Sequence, residues 1–422
     1  HGLPDARNLV CAGGLVPSAL PEGQPAPSSG LLPESAGRGA QTRGFALYVH
    51  IPFCSVRCGY CDFNTYTHAD MPGVSHADYP ELAQREIGFA AAVLDQSEIP
   101  RRSLTSVFFG GGTPSVLPPH AIPQMLNVAT ETWGLAEGAE VSVEANPDSV
   151  SHEHLAAWAQ AGVTRVSIGV QSWAPHVLAT LDRTHTPESV APAVGAARSA
   201  GLQVSMDLIY GTPGESIADW TDTLERSLEL EPDHLSAYSL IIEPGTALAR
   251  RVARGDLSDI DPDVHAQCYE VADHFLGQAG YQWYEVSNWS RTPQAQSRHN
   301  LSYWRGDDWW GVGPGAHSHV GGVRWWNVKH PAAWASRLTT GDSPAQGREV
   351  VSDRDRWVES VMLGLRLREG IARDLVSRAT EALESALGAG WIEPGAWDDG
   401  RLVLTLRGRL MADRLALELT EA

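Results

Sequence analysis

Cysteine is scarce in this chain: five residues in 422. So few, and an odd number, exclude a disulfide-stapled secreted scaffold and fit a reducing cytoplasm. Long apolar runs are missing too. No stretch reaches the roughly 18 residues that a membrane-spanning helix needs. Positive charge is also short, with 31 Lys and Arg against 51 Asp and Glu, a formal charge of −20. That balance argues against general binding to nucleic acid or an anionic membrane surface. Residues 1–40 lack periodicity and are rich in Ala, Gly, Pro and Ser, so they are expected to form a disordered leader. They carry neither the basic region nor the apolar core of a signal peptide. The length suggests two or three domains with chain enough for a large core.

Three of the five cysteines fall together, at Cys54, Cys58 and Cys61, while Cys11 and Cys268 stand alone. A short loop with C-x3-C-x2-C spacing can turn three thiolates onto one inorganic centre. Soft thiolates suit zinc or iron–sulfur. Electron-transfer [4Fe–4S] clusters use four cysteines, so three leave one iron open to a non-protein ligand. A zinc knuckle is the alternative, but no His-x3–5-His or second C-x2-C stands nearby to complete it.

From residue 41 onward, β-rich runs alternate with helical ones. The expected strands are Phe45–His50, Leu104–Phe109, Glu140–Glu144, Thr164–Val170, Gln203–Tyr210 and Leu235–Ile242. Helices are expected near 78–95, 119–133, 150–161, 187–200, 216–230 and 264–279. Six such units imply an α/β fold with a parallel sheet, doubly wound or a barrel. Function in such sheets gathers at the carboxyl ends of strands. The first strand ends in the three-Cys loop and the second in Gly110-Gly111-Gly112-Thr113-Pro114, where bare backbone can approach a ligand. The third ends at Glu144, placed to bond a ribose hydroxyl or a cationic amine. The fourth ends at Gln171, followed by Arg183; the fifth carries Asp207. Taken singly, the glycines also make a tight turn, and Glu144, Gln171 and Asp207 also read as strand-edge polar groups. Five strands delivering Gly, Cys or polar residues at one end argue for a shared site.

Beyond residue 280, Tyr281–Asn288 reads as one more strand and Trp309-Trp310 as a turn. Eight of the fifteen Trp lie between 283 and 334. Planar aromatic walls with His donors would suit a flat macrocycle, and ordinary aromatic packing is the alternative. The tail opens with an amphipathic helix carrying Trp357, Val358, Val361, Met362 and Leu365 on one face. A strand over Leu402–Leu406 and a helix start at Arg407 follow. Ten Arg against thirteen acidic residues in 351–422 leave it no basic recognition face.

The cysteine loop, with Tyr60 just before its last Cys, resembles the signature of the radical S-adenosylmethionine (SAM) superfamily. Its context, Tyr48-Val-His-Ile-Pro-Phe-Cys54, is similar to the group holding oxygen-independent coproporphyrinogen III dehydrogenase and the HemW heme chaperones. The resemblance implies a partial open (β/α)6 radical SAM barrel with extra C-terminal strands. It also implies a small winged-helix-like α+β C-terminal domain. The parts would be a core over 41–280, a Trp-rich extension over 281–350 and a HemN-type domain over 351–422. It further implies a [4Fe–4S] cluster on Cys54, Cys58 and Cys61. SAM would be cleaved by the reduced cluster to a 5′-deoxyadenosyl radical. Tyr48, Tyr60, Gly111, Gly112, Thr113, Glu144, Gln171, Arg183 and Asp207 would line the SAM site, Arg183 meeting a carboxylate. His299-Asn300-x-x-Tyr303-Trp304 resembles the HNxxYW motif that marks the chaperones. His299 is thereby the expected contact to heme, imidazole being a common axial ligand.

Two functions follow from the resemblance. One is a cytoplasmic heme chaperone that passes heme to acceptors such as respiratory cytochromes, drawing on an electron donor. The other is the dehydrogenase that oxidatively decarboxylates coproporphyrinogen III. The dehydrogenase pattern adds a fourth Cys as C-x3-C-x2-C-x-C, and Cys61-Asp62-Phe63 lacks it. With HNxxYW intact, the chaperone is the expectation. Whether SAM is cleaved in service of heme transfer is left open, as is a homodimer.

Overall fold

Strands with both faces covered read as near-continuous apolar runs, and the first barrel strand behaves that way, every residue of Phe45–Ile51 being buried. The computed structural model describes residues 23–67 and 73–421. In chain order the strands of the main sheet are β1 (Gln24–Pro25), β2 (Phe45–Ile51), β3 (Leu104–Gly111), β4 (Leu135–Ala145), β5 (Arg165–Gln171), β6 (Gln203–Tyr210) and β7 (His234–Ser239). They continue as β8 (Gln282–Glu285), β9 (Asn288–Ser290), β10 (Asp308–Val312), β11 (His317–Val320), β12 (Val323–Asn327) and β13 (Ala345–Val350). Their order in space is β1-β13-β12-β11-β10-β2-β3-β4-β5-β6-β7-β9-β8. The run from β10 through β2 to β7 is parallel, and the flanks are antiparallel. The first and last strands do not pair, so the sheet stays open. This is the α/β arrangement expected, a mainly parallel sheet that does not close.

Crossover helices cover the outer face: α1 (Tyr79–Gln96), α2 (Ala121–Trp133), α3 (His152–Ala161), α4 (Val190–Ser199), α5 (Ile217–Glu229) and α6 (Pro262–Gln278). Their starts are written locally. Ser151 and Ser216 form capping boxes with His154 and Asp219. Asp261 caps α6, with Pro262 at its first position. A short helix α7 (Arg298–Trp304) carries the HNxxYW residues, and α8 (Pro331–Thr340) packs near α1. One core cluster runs from Leu32 to Ala345 and holds the inward faces of these elements.

Four expectations change. The leader does not extend to residue 40: Gln24–Pro25 pairs with β13, and Leu32, Ala36 and Ala40 are buried in the core. Residues 1–22, with Cys11, lie outside the described residues. Tyr281–Asn288 is not one strand but the hairpin β8–β9, because the chain turns at 286–287. Trp309-Trp310 is not a turn. It lies in β10, which is pinned beside β2 by buried Asp308, whose carboxylate takes Arg43, Arg102 and the Gly321 N–H. The tail holds less strand than expected. Its sheet is Ile371–Ala372 against Arg401–Leu402, and α9 (Asp353–Gly364), α10 (Thr380–Gly388) and α11 (Ala412–Thr420) build a separate core around Val361, Leu402 and Leu415. The expected face of the first tail helix is otherwise kept, with Val358, Val361, Met362 and Leu365 buried.

Candidate functional site

The cysteine loop leaves β2 and is held at both ends. The Cys54 N–H donates to the Tyr66 carbonyl, the Gly59 N–H to Leu181, and the Leu248 N–H to the Gly59 carbonyl. The glycine turn ending β3 closes on it: Gly112 N–H donates to Ile51 and Thr113 N–H to Phe53, both at 2.7 Å. A Cβ on Gly112 would stand 2.5 Å from the Phe53 carbonyl oxygen, so only glycine permits this approach. The turn and the thiols thus meet. Thr113 Oγ1 reaches Cys54 Sγ at 3.8 Å, and Arg183 Nη1 reaches Cys58 Sγ at 3.4 Å. Burial pushes the Cys54 thiol up, and that of Cys61 to about 12. Neutral thiols in an apo loop must therefore shed protons when metal binds. Among the described residues no three His, Cys, Asp or Glu side chains converge on a single ion. A cubane makes no such demand, since each sulfur binds its own iron. The soft donor set fits a cluster.

Around the loop stand the other strand ends. Glu144 is half-buried, accepts the Gly111 N–H at 2.9 Å, and has its carboxyl raised to about 8, first by desolvation and then by the charge of Asp207. Asp207 is raised to about 6 by burial although Ser167 donates to it at 2.9 Å. Two half-buried carboxyls side by side, neither holding a cationic partner in hydrogen-bond range among the described residues, form a pocket that favours a cation or hydroxyl donors. A sulfonium and a ribose, as in the SAM expected here, are groups of that kind. Arg183 is fixed by Asn146 Oδ1 at 2.7 Å and the Gly169 carbonyl at 3.1 Å. Gln171 is held in the left-handed region at φ 63°, where it ends β5. A Cβ on Gly169 would meet its amide and the Arg183 guanidinium, so that glycine makes room for both. Tyr60 lies beside Cys58, Arg183 and Asp207, its phenol raised by burial.

Tyr48 sits in the same interior. His50 has its pKa lowered to about 4 by burial and is neutral. Its Nε2 donates to the Asn64 carbonyl, so its Nδ1 accepts from the Tyr48 hydroxyl at 2.9 Å. The Asn64 amide in turn donates to the Pro314 and Lys329 carbonyls, tying the cysteine loop to the Gly-Pro-Gly loop at 313–315. Glu86 holds that loop from α1, accepting the Gly313 N–H, the Asn327 amide and the Trp334 indole. Sequence reasoning passed over His50, Asn64, Asn146 and Glu86. His50 and Asn64 flank the cysteines, but nothing in their spacing marks a hydrogen-bonded bridge.

The HNxxYW residues occupy another place. His299 is fully buried at the amino-terminal side of the site, stacked on Phe108 at 4.9 Å. Its Nδ1 bonds Ser106 at 2.9 Å and its Nε2 bonds Tyr303 at 3.0 Å. Burial lowers its pKa to about 3. Both nitrogens of the expected heme contact thus have hydroxyl partners in this fold. Asn300 and Trp304 face the buried Glu285, whose carboxyl burial raises to about 7. The Trp wall is also smaller than expected: Trp289, Trp304, Trp310, Trp325, Trp326 and Trp334 are core residues, leaving Trp283 and Trp309 half-buried.

A family model for the radical SAM superfamily matches residues 48–226. The heme chaperone HemW of Mycobacterium tuberculosis is 47% identical over 371 residues, 87% of this chain and 93% of that protein. HemW of Escherichia coli is 36% identical over 316 residues, 74% of this chain and 78% of that protein. The mitochondrial radical S-adenosyl methionine domain-containing protein 1 of Danio rerio is 37% identical over 335 residues, 77% of this chain and 73% of its own. Among solved structures, coproporphyrinogen III oxidase (HemN) of Escherichia coli superposes with a TM-score of 0.75 over 92% of both chains at 22% identity. That likeness concerns the fold. No helix among the described residues is long and apolar enough to cross a membrane.

Proposed function

We propose a function from one premise: this chain belongs to the HemW family within the radical SAM superfamily. The superfamily implies a [4Fe–4S] cluster and SAM, and the proposal is that the protein is a heme chaperone that uses both. Heme would be the cargo, passed to acceptor proteins such as respiratory cytochromes, with an electron donor to reduce the cluster. The observation that carries the reading is 47% identity to a HemW across 93% of its length. In this superfamily the bound cluster and SAM supply one-electron reductive cleavage of a sulfonium. The residues here would serve that arrangement in distinct ways. Cys54, Cys58 and Cys61 would hold the cluster, each giving up its proton. Gly111, Gly112 and Thr113 would present backbone and hydroxyl to the methionyl group. Arg183 would meet its carboxylate, while Glu144, Gln171 and Asp207 would face ribose and sulfonium. Tyr48 and Tyr60 would wall the pocket.

The dehydrogenase reading has the HemN fold in its favour and lacks the fourth Cys after Cys61. One experiment separates the two. The cluster is reconstituted without oxygen, and heme and coproporphyrinogen III are offered in separate assays with SAM and reductant. Stoichiometric heme uptake without turnover of coproporphyrinogen is expected. Robust protoporphyrinogen formation would reverse the assignment.

A further inference from the structure

With both nitrogens of His299 hydrogen-bonded, a histidine with an unpaired nitrogen is the better-placed ligand for the iron of the chaperone reading. The other buried imidazoles are also spoken for. His50 bonds Tyr48 and Asn64, His185 bonds Arg183 and Val170, His234 bonds Ser205 and Tyr284, and His319 bonds Asp307 and Gly322. His317 differs. Its Nε2 is buried and has no hydrogen-bond partner among the described residues. An orphaned polar atom of this kind costs about 1–3 kcal/mol and calls for a reason.

Its position supplies one. Residues opposite one another on neighbouring strands share a face. His317 faces Trp326, His319 faces Arg324 and Trp309, and Gly311 faces Tyr48. The face holding Tyr48 and His50 therefore continues from the SAM pocket across β10, β11 and β12 to His317. Gly311 lies bare between Tyr48 and His317, and a Cβ there would strike the His317 carbonyl at 2.1 Å. Half-buried Trp309 donates its indole N–H to that same carbonyl at 3.1 Å, and the half-buried Tyr303 ring meets it edge-on at 4.7 Å. The His317 ring itself lies tilted against buried Trp326 at 6.1 Å, while Trp309 meets His317 through its carbonyl. An unpaired neutral imidazole nitrogen on the sheet face that also carries Trp309 is the donor that the iron of a metalloporphyrin takes. Burial holds His317 neutral, with its pKa lowered to about 4.

We propose that the heme carried by this protein is ligated through Nε2 of His317 on the face of β10–β12 shared with Tyr48, with Trp309 and Tyr303 against the porphyrin. This rests on the chaperone reading, and heme enters as cargo rather than as a resident cofactor. The test uses cluster-reconstituted protein labelled with 15N-histidine, loaded anaerobically with ferric heme and read by electron–nuclear double resonance. Porphyrin nitrogens are then 14N, so a 15N coupling reports a bound histidine. Wild type and His299→Ala are expected to show it. His317→Ala is expected to lose it and to bind heme at least tenfold more weakly, and added imidazole should restore binding. His317→Gln, which keeps volume, should behave as His317→Ala does, with the brown cluster absorption of both variants reporting an intact core. A 15N coupling that persists in both His317 variants overturns the ligand assignment and leaves the chaperone standing. A wild type that binds heme with no 15N coupling does the same. A wild type that takes up no heme at all overturns both.

Discussion

Binding of SAM should be linked to proton release from Glu144, whose surroundings set the direction and rough scale of the effect. In the free protein this carboxyl is raised to about 8 by burial and by Asp207. A ribose hydroxyl or a sulfonium favours its ionised form, so the ligand must first draw the proton off. At pH 6 roughly 1% of such a group is ionised, and at pH 8 about half, so apparent affinity should rise by about fiftyfold, or ~2.3 kcal/mol, across that range. The sign follows from the direction of the shift: with the free-state pKa high and the bound-state pKa low, binding strengthens as pH climbs between them and levels off above the higher. Asp207, at about 6, adds a second proton below pH 6 and steepens the slope there. The assay is anaerobic titration calorimetry on cluster-loaded protein at pH 6, 7 and 8, in two buffers of unlike protonation enthalpy. Near pH 6.5 close to one proton should be released per SAM bound. Glu144→Gln keeps the volume and removes the titration, so its affinity should be weak and flat from pH 6 to 8. A flat wild-type profile, or a variant that keeps the slope, would refute the placement of Glu144 against the ligand.

Other consequences are simpler. Cys58→Ser should abolish the brown cluster absorption while far-ultraviolet circular dichroism stays unchanged, and survival of the absorption would remove Cys58 from the ligand set. Glu86→Ala strands three donors, at Gly313, Asn327 and Trp334, and should cost about 3 kcal/mol in urea unfolding. A loss under about 1 kcal/mol would contradict the burial of that network. The same carboxyl, raised by burial from its ordinary 4.5 to about 7, keeps its proton in the folded state through that window. Its contribution is therefore lost as pH rises from about 4.5 to 7, by up to ~3 kcal/mol. Subtracting the Glu86→Gln profile from wild type should isolate that fall. His299→Ala removes a buried ring bonded to Ser106 and Tyr303 and should lower stability by about 2–4 kcal/mol, measured by the same denaturation.

Strands β2 to β7 of the parallel core were legible because each is a short β-rich run followed by a helix, some with starts written locally, as at Ser151 and Ser216. The strand ends were legible because glycine, cysteine and carboxylates are rare in strand interiors, so their recurrence at one end carries information. What failed did so for physical reasons. The turn at 286–287 inside Tyr281–Asn288 is made without Gly or Pro, the residues that mark turns in sequence. Trp309-Trp310 was expected as a turn, whereas it is a strand pinned by Asp308, which gathers two arginines and a backbone N–H. Residues 24–40 have leader-like composition, yet Leu32, Ala36 and Ala40 are enough to dock them.

The histidines mark the deeper limit. A motif announces that residues act together and does not say whether they act on a ligand or on one another. In HNxxYW the period of the helix places His299 and Tyr303 one turn apart, so they bond each other, and Ser106 takes the remaining nitrogen. Asn300 and Trp304 follow one position on and turn to Glu285. Each member of the motif is thereby used inside the barrel, as a plug beneath Phe108 and Tyr48. His317 belongs to no comparable pattern; its neighbours on the sheet face come from β2, β10 and β12, brought together by register alone. A ligand must leave its nitrogen unpaired until the guest arrives. The residue best advertised by sequence is therefore the one the fold has already satisfied, and the open position is the one that only strand register reveals.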